Sequence, residues 1–433
     1  MNVTIHRGSQ EVGGSCIEVQ AQDCRIVLDV GLPLFNDNRE ALDTFSLRRM
    51  TKENLQSRGI LPAVSGLFDD ARSPDAILLS HAHLDHTGLL DHTNEQIPVY
   101  ATSGTSKIML VGKLFANQVE LPRARFREVL PGTSFQIGPF AITGYSVDHS
   151  TFGCLAYLIE ADGKSLLYTG DLRLHGRKPG MARSLIDTLA DRQVDAMLME
   201  GTHFGLPDGH GVSEYDLERE IVGYIQDATS LVLAAFSPQH VDRLVAFIRA
   251  AKKTNRKFVA DVYTAAILHF LSSETKVPSP QRDDSIRVYF PNNFAGTIKE
   301  RNLSKLVDQF RSKQIEMSEI VESPSKFLMV FRPSLEVDFP GSYPDNTLCL
   351  YSSWKGYLEK PDWKRTRQSL TKNGGHLVEA HTSGHMHAKD IVTFVRKIAP
   401  QAVIPIHTFE PTQFREHFPN AVLAEDGRPV EIT

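Results

Sequence analysis

Residues 77–88, ILLSHAHLDHTG, set His81, His83, Asp85 and His86 within six positions, directly after an apolar run that reads as a buried strand. A lone histidine is usually a core or surface residue, and His6, His92, His175 and His269 are read that way. Three imidazoles and a carboxylate at one strand end form a ligand cluster. Zinc takes imidazole and carboxylate ligands, four as a rule, and a catalytic zinc keeps one position for water. His81 and His83 lie two apart and share a direction on an extended strand end, so the chain must turn before Asp85 and His86 aim nearby. Such a loop offers two ligands to each of two metals and completes neither. His149 in VDHST and Asp171 in YTGDL, both at strand ends, are the candidates for the remainder. His149 would join His81 and His83, Asp171 would bridge, and the second metal would hold Asp85, His86 and Asp171 with room for one more histidine. Two metals about 3.5–4 Å apart activate a bridging water and clamp the attacking and leaving oxygens.

The chain around this loop is ordinary in composition. Its 433 residues are 41% hydrophobic and 23% charged, enough for two or three domains. The N-terminus lacks a signal-peptide layout, and no apolar run is long enough for a membrane span. Cys16, Cys24, Cys154 and Cys349 are scattered without a CxxC pair, which predicts free thiols in a reducing, cytoplasmic setting. A net charge of −5 argues against a broadly basic nucleic-acid coat, so any such binding must use a local basic groove.

Over the first 200 residues IVLDVG, DAILLSHAH, FAITGYSV, CLAYLIEA, SLLYTGDL and DAMLMEGT read as short strands, several ending on a ligand-type residue: Asp29, His81, His149, Asp171 and Glu200. From about residue 205 a second strand–helix alternation begins, predicting a separate α/β unit. HLVEAHTSGHMH and AVIPIHTF then return to the first style.

On these motifs the chain resembles the metallo-β-lactamase superfamily: SHAHLDHTG matches its HxHxDH signature, and RIVLDVG, DHS and TGD match its first, third and fourth motifs. Within the superfamily it resembles the β-CASP group of nucleic-acid hydrolases, which includes ribonuclease J and the endonuclease subunit of the cleavage and polyadenylation machinery. Glu200 in MEGTH, His385 in HTSGHMH and His407 in VIPIHT match that group's motifs A, B and C. The resemblance implies an α/β fold, a metallo-β-lactamase αββα sandwich (1–207 and 373–433) with an inserted α/β β-CASP domain (208–372). It implies two zinc ions, with manganese as the alternative, held by His81, His83, Asp85, His86, His149, Asp171 and His407. His385 would act near the leaving-group oxygen, Glu200 would orient it, Asp85 would be both ligand and catalytic residue, and Asp29 would fix the histidine loop without binding metal. The sequence departs from the group at GTHFG, where His203 is an extra imidazole. It departs again at His387, two positions after His385, and at Thr408 and Phe409 after motif C. It also ends 26 positions after His407, which implies that the C-terminal domain of ribonuclease J is absent.

The inserted segment is slightly more basic than the rest, with clusters KKTNRK (252–257) and KRTR (364–367). Trp354, Tyr357 and Trp363 lie near the second cluster, and aromatic rings beside cations can stack single-stranded bases. The alternative is a solvated helix face over buried tryptophans. The loop YSSWKGYL, through Ser352, Ser353 and Lys355, is the candidate phosphate contact. The leading expectation is a zinc phosphodiesterase hydrolysing single-stranded RNA with metal-activated water. The alternatives are a DNA nuclease, since the metal chemistry does not use the 2′-OH, and a small-molecule hydrolase of the thioesterase or lactonase type.

Overall fold

The computed structural model describes residues 1–206, 212–292 and 294–433, and divides into two compact units, Met1–His210 with Gly384–Thr433 and Gly211–Ser383. The expected boundary at 207/208 lies outside the described residues.

The first unit holds two sheets. One runs Pro429–Glu431, Asn2–Arg7, Cys16–Ala21, Cys24–Leu28, Ala76–Leu78, Val99–Ala101, Phe126–Glu128. The other runs Ala402–Ile406, Ala196–Glu200, Lys164–Tyr168, Leu155–Ala161, Phe140–Ser146, Ser134–Ile137. The sequence-read strands of this unit all appear among them. Their near-continuous apolar character follows from burial on both faces, with the two-residue period sorting side chains between two cores. Leu166, Tyr168, Ala196 and Leu198 join Ile26, Leu28 and Leu78 in the core shared by the sheets. Leu167, Met197 and Met199 point the other way, under helices Gly180–Leu189 and Ala388–Ile398. The second helix seats Ile391, Phe394, Val395 and Ile398, one apolar stripe at helical spacing. Phe394 is 1% exposed, so its truncation to Ala would cost about 3–5 kcal/mol.

The second unit is built on one seven-stranded sheet in the order Gln314–Ile315, Ile286–Tyr289, Lys257–Asp261, Phe327–Val330, Val232–Ala235, Leu348–Tyr351, His376–Glu379. All of its pairings are parallel. The chain returns to the first unit between Ser383 and Gly384 and not at 372/373. The reason is His376–Glu379, which pairs in parallel with Leu348–Tyr351 and extends the inserted sheet.

Among the described residues no helix is long and apolar enough to cross a membrane. The architecture is the expected two-sheet sandwich with an inserted α/β unit.

Candidate metal centre

Strand direction gathers the site. In the second sheet of the first unit, Lys164–Tyr168, Ala196–Glu200 and Ala402–Ile406 are mutually parallel. Phe140–Ser146 runs with them, because both it and Lys164–Tyr168 are antiparallel to Leu155–Ala161. Their C-terminal ends therefore deliver His149, Asp171, Glu200 and His407 to one edge. Cys24–Leu28 and Ala76–Leu78, parallel in the other sheet, end at Asp29 and His81.

The histidine loop is pinned by the segment after Asp29. Val30 and Leu32 donate from their backbone N–H groups to the carbonyls of His86 and Leu84 at 2.8 and 2.9 Å, and Ser15 donates to the Asp85 carbonyl at 3.0 Å. A Cβ on Gly31 would lie 1.8 Å from the Asp85 carbonyl oxygen, so only glycine lets the two stretches approach this closely. Asp29 and His407 sit at φ of 57° and 51°, the left-handed region that non-glycine residues occupy at a cost of order 1–3 kcal/mol. Asp29, fully buried, accepts four hydrogen bonds: from Ser80 N (2.7 Å), Ser80 Oγ (2.6 Å), His86 Nδ1 (2.7 Å) and the Tyr168 hydroxyl (2.5 Å).

Each imidazole is held by one nitrogen, with the other facing inward. His81 Nδ1 meets Ser80 Oγ at 2.9 Å, and His149 Nδ1 meets the Gly384 carbonyl at 2.5 Å. His83 Nε2 meets Ser150 Oγ at 3.3 Å. The Ser80 hydroxyl already donates to Asp29, so His81 carries its proton on Nδ1; His149 must likewise donate to a carbonyl. Their Nε2 atoms, turned inward at 3.0 and 3.1 Å from His83 Nδ1, present lone pairs to one another. Burial pushes the His83 imidazolium down to about 4, and burial with the neighbouring imidazoles holds His81 and His149 well below the ordinary histidine range. All three are neutral and ligand-ready.

Asp171 is the centre of the arrangement. It is 1% exposed, and neither carboxylate oxygen has a hydrogen-bond partner. Around its Oδ2 stand His86 Nε2 at 3.1 Å, His81 Nε2 at 3.7 Å, His149 Nε2 and His385 Nδ1 at 3.8 Å, and His407 Nε2 at 4.0 Å. His86 Nε2 is likewise buried and without a hydrogen-bonding partner, its approach to Asp171 lacking the needed alignment. Burial would raise the Asp171 carboxyl, but His407, His86 and His385 outweigh it and hold it well below the usual carboxylate range. A buried carboxylate with bare oxygens, ringed by imidazole nitrogens, fits a bound divalent cation. The donor atoms form sets within 4.8 Å: His81, His83, His149 and Asp171, and Asp85, His86, Asp171 and His407. A third set, Asp171, Glu200, His385 and His407, overlaps the second.

His385 has a different environment. Its Nδ1 lies 3.3 Å from Glu200 Oε2, and its side chain keeps 22% exposure. Burial would lower its imidazolium, but the Glu200 and Asp171 carboxylates outweigh this and raise it to about 9. Thr202 is the residue that sequence reasoning missed. Its hydroxyl is 2.7 Å from Glu200 Oε2, 3.1 Å from His385 Nδ1 and 2.9 Å from His407 Nδ1, tying together the three late motifs. The only signal for it was a hydroxyl two positions after a strand-end acid. The extra imidazoles His203 and His387 meet each other, Nδ1 to Nδ1, at 3.2 Å, outside the three ligand sets.

The second unit corrects two expectations. Ser352 is buried, its hydroxyl bonded to the Ala380 carbonyl and Arg243, so it is a structural group and no surface contact. Trp363 is also buried, packed against Phe331 and Tyr351. In 252–257 the cations are engaged: Lys252 with Asp283, Lys253 with Glu218, and Arg256 with backbone carbonyls. That cluster spans a helix end and the start of the next strand, with Lys252 and Lys253 ion-paired and Arg256 buried. Ser353 is half-buried and Lys355 exposed.

Comparisons with known proteins agree with this geometry. A model described as the beta-lactamase superfamily domain matches residues 52–210. Ribonuclease J of Sinorhizobium meliloti is 21% identical over 80% of this chain and 60% of its own length. An RNase J-like protein of Methanocaldococcus jannaschii is 24% identical over 61% of this chain and 58% of its own. Transcription termination factor FttA of Methanothermobacter thermautotrophicus is 23% identical over 56% of this chain and 38% of its own. The chain spans about three fifths of the length of the first two of these relatives. The crystal structure of a protein of unknown function from Enterococcus faecalis V583 has the same fold, with a TM-score of 0.78 at 22% identity over 99% of both chains. The two-sheet sandwich with a His/Asp cluster at its strand ends accords with the match of residues 52–210 to the beta-lactamase superfamily domain. Its inserted α/β unit and its similarity to relatives named ribonuclease J and FttA are consistent with the β-CASP group.

Proposed function

We propose that this chain is a ribonuclease, a two-zinc phosphodiesterase that hydrolyses single-stranded RNA. The observation that carries this is Asp171, a buried carboxylate with no hydrogen bond to either oxygen, common to all three ligand sets. In this reading His81, His83, His149 and Asp171 hold one ion, and Asp85, His86, His407 and Asp171 hold the other. Bound there, divalent cations lower the pKa of a coordinated water and polarise the phosphoryl oxygens.

The chain's own residues supply the rest. Asp29 fixes the proton of His86 on Nδ1 and so keeps Nε2 turned inward. Glu200 and Thr202 grip His385 at Nδ1 and leave Nε2 to carry a proton to the leaving oxygen. The relatives' names, ribonuclease J above all, support RNA as the substrate. Four buried, unpaired cysteines are in keeping with a reducing compartment such as the cytoplasm. Purified protein should cut 5′- and 3′-labelled single-stranded RNA ahead of duplex RNA and DNA, lose activity to a chelator, and regain it with zinc. Inertness towards every nucleic acid combined with hydrolysis of a thioester or lactone would replace this reading with the small-molecule one.

A further inference from the structure

In the second unit, strand Leu348–Tyr351 leads through Ser352 and Ser353 to a short 3-10 turn, Lys355–Glu359. Trp354 stands between them with 47% of its surface exposed, while the chain's other tryptophan, Trp363, is 9% exposed and packs inside. A single exposed aromatic is unremarkable in itself. This one is supported. The benzo ring of Trp354 occupies the space where a Cβ on residue 356 would stand, with three ring carbons 2.3–2.5 Å from that position, so Gly356 is what admits it. Tyr357 meets the indole edge-on, at 5.2 Å and 90°. The Tyr351 hydroxyl donates to the Trp354 carbonyl at 2.8 Å and anchors the turn to the strand end. Cations flank the pair: Lys355 is exposed, and the Lys360 ammonium lies 4.7 Å from the Tyr357 ring centre.

We propose that Trp354 is a stacking platform for an unpaired base of RNA, with Lys355 and Lys360 meeting the adjoining phosphates. This deepens the proposed function and rests on its RNA reading. A propped indole loses little freedom when a planar ligand settles on it. Flanking ammonium groups select a polyanion over an apolar or cationic partner, and a half-exposed indole suits a base whose own faces are open. In a duplex both faces of each base are already stacked, so the platform discriminates for single strands. Ser353, beside it, is placed to add a hydroxyl contact.

The test uses the full chain with chelator present, so that binding is read without cleavage. Titration with a single-stranded decamer RNA should quench tryptophan emission, because Trp354 is the exposed emitter and Trp363 the buried one. Trp354→Ala should abolish the quench and weaken binding by roughly tenfold, the range of one lost base stack. Trp354→Phe should keep part of the affinity. Lys355→Ala should weaken binding less and make its salt dependence shallower. Retained Trp363 emission and an unchanged melting temperature would report intact folding in each variant. If wild-type protein cleaves RNA but Trp354→Ala and Trp354→Phe bind it as tightly as wild type, the platform is refuted and the RNA reading stands. If wild type neither binds nor cleaves RNA, both fall; if the surface takes an uncharged proline-rich peptide in preference to RNA while the protein still cleaves RNA, the platform alone falls.

Discussion

Replacing Asp29 by Asn tests how this centre is held without touching a ligand. Asp29 is isosteric with Asn, and the Asn side-chain oxygen can still accept from Ser80 N at the 2.7 Å contact. Tyr168 can reverse its hydroxyl and accept from the new amide, so the fold should survive with a loss of about 1–3 kcal/mol, the cost of degrading a buried charge-assisted bond. His86 cannot adapt so cheaply. At 2.7 Å its Nδ1 faces the position of Oδ2, which an amide nitrogen takes over in the variant. The imidazole must then accept on Nδ1 and carry its proton on Nε2, the nitrogen 3.1 Å from Asp171. A protonated Nε2 offers no lone pair to a metal. Loss of such an orienting partner typically costs 10–100-fold in metal affinity, about 1.4–2.7 kcal/mol. The set of Asp85, His86, Asp171 and His407 should lose its ion first, while His81, His83 and His149 keep theirs. Competition with a zinc-sensitive chelator, alongside elemental analysis, should give one tight and one weakened ion per chain. Two ions bound as tightly as in wild type would refute the tautomer argument. Loss of both ions together with the fold would mean that Asp29 acts through loop structure alone.

Further expectations follow from the same geometry. Thr202→Val should lower turnover at least tenfold and loosen the His407-side ion, with Thr202→Ser restoring both; equal defects in the two variants would show that the hydroxyl is not what matters. His385→Ala should reduce turnover with two ions still bound, whereas His407→Ala should release one, as read by elemental analysis; the reverse pattern would exchange their roles. Gly31→Ala should cost several kcal/mol in denaturant unfolding and weaken both ions, because its Cβ would meet the Asp85 carbonyl at 1.8 Å. A stable, fully metallated Gly31→Ala protein would contradict the close approach on which the loop depends.

The sequence alone was enough for the ligand-type residues at the strand ends, because buried strands leave an unbroken apolar run that stops abruptly at a polar side chain. The run before His81 and the run before His407 could be read in this way, although 326 positions separate the two histidines. Local pattern also marked the change of style near residue 205. What it could not supply was any feature that depends on which strands lie side by side. Thr202 acquires its partners from Ala402–Ile406 pairing with Ala196–Glu200, a register no local spacing encodes. Ser352 and Trp363 have the composition of a contact surface, but parallel pairing in the second unit turned both inward. The return point moved to 383/384 because His376–Glu379, only partly buried, earns its place through backbone hydrogen bonds to Leu348–Tyr351. Periodicity records how much of a side chain is buried; direction, register and neighbours are set by long-range pairing, and the bare carboxylate of Asp171 became visible only once that pairing had closed the imidazoles around it.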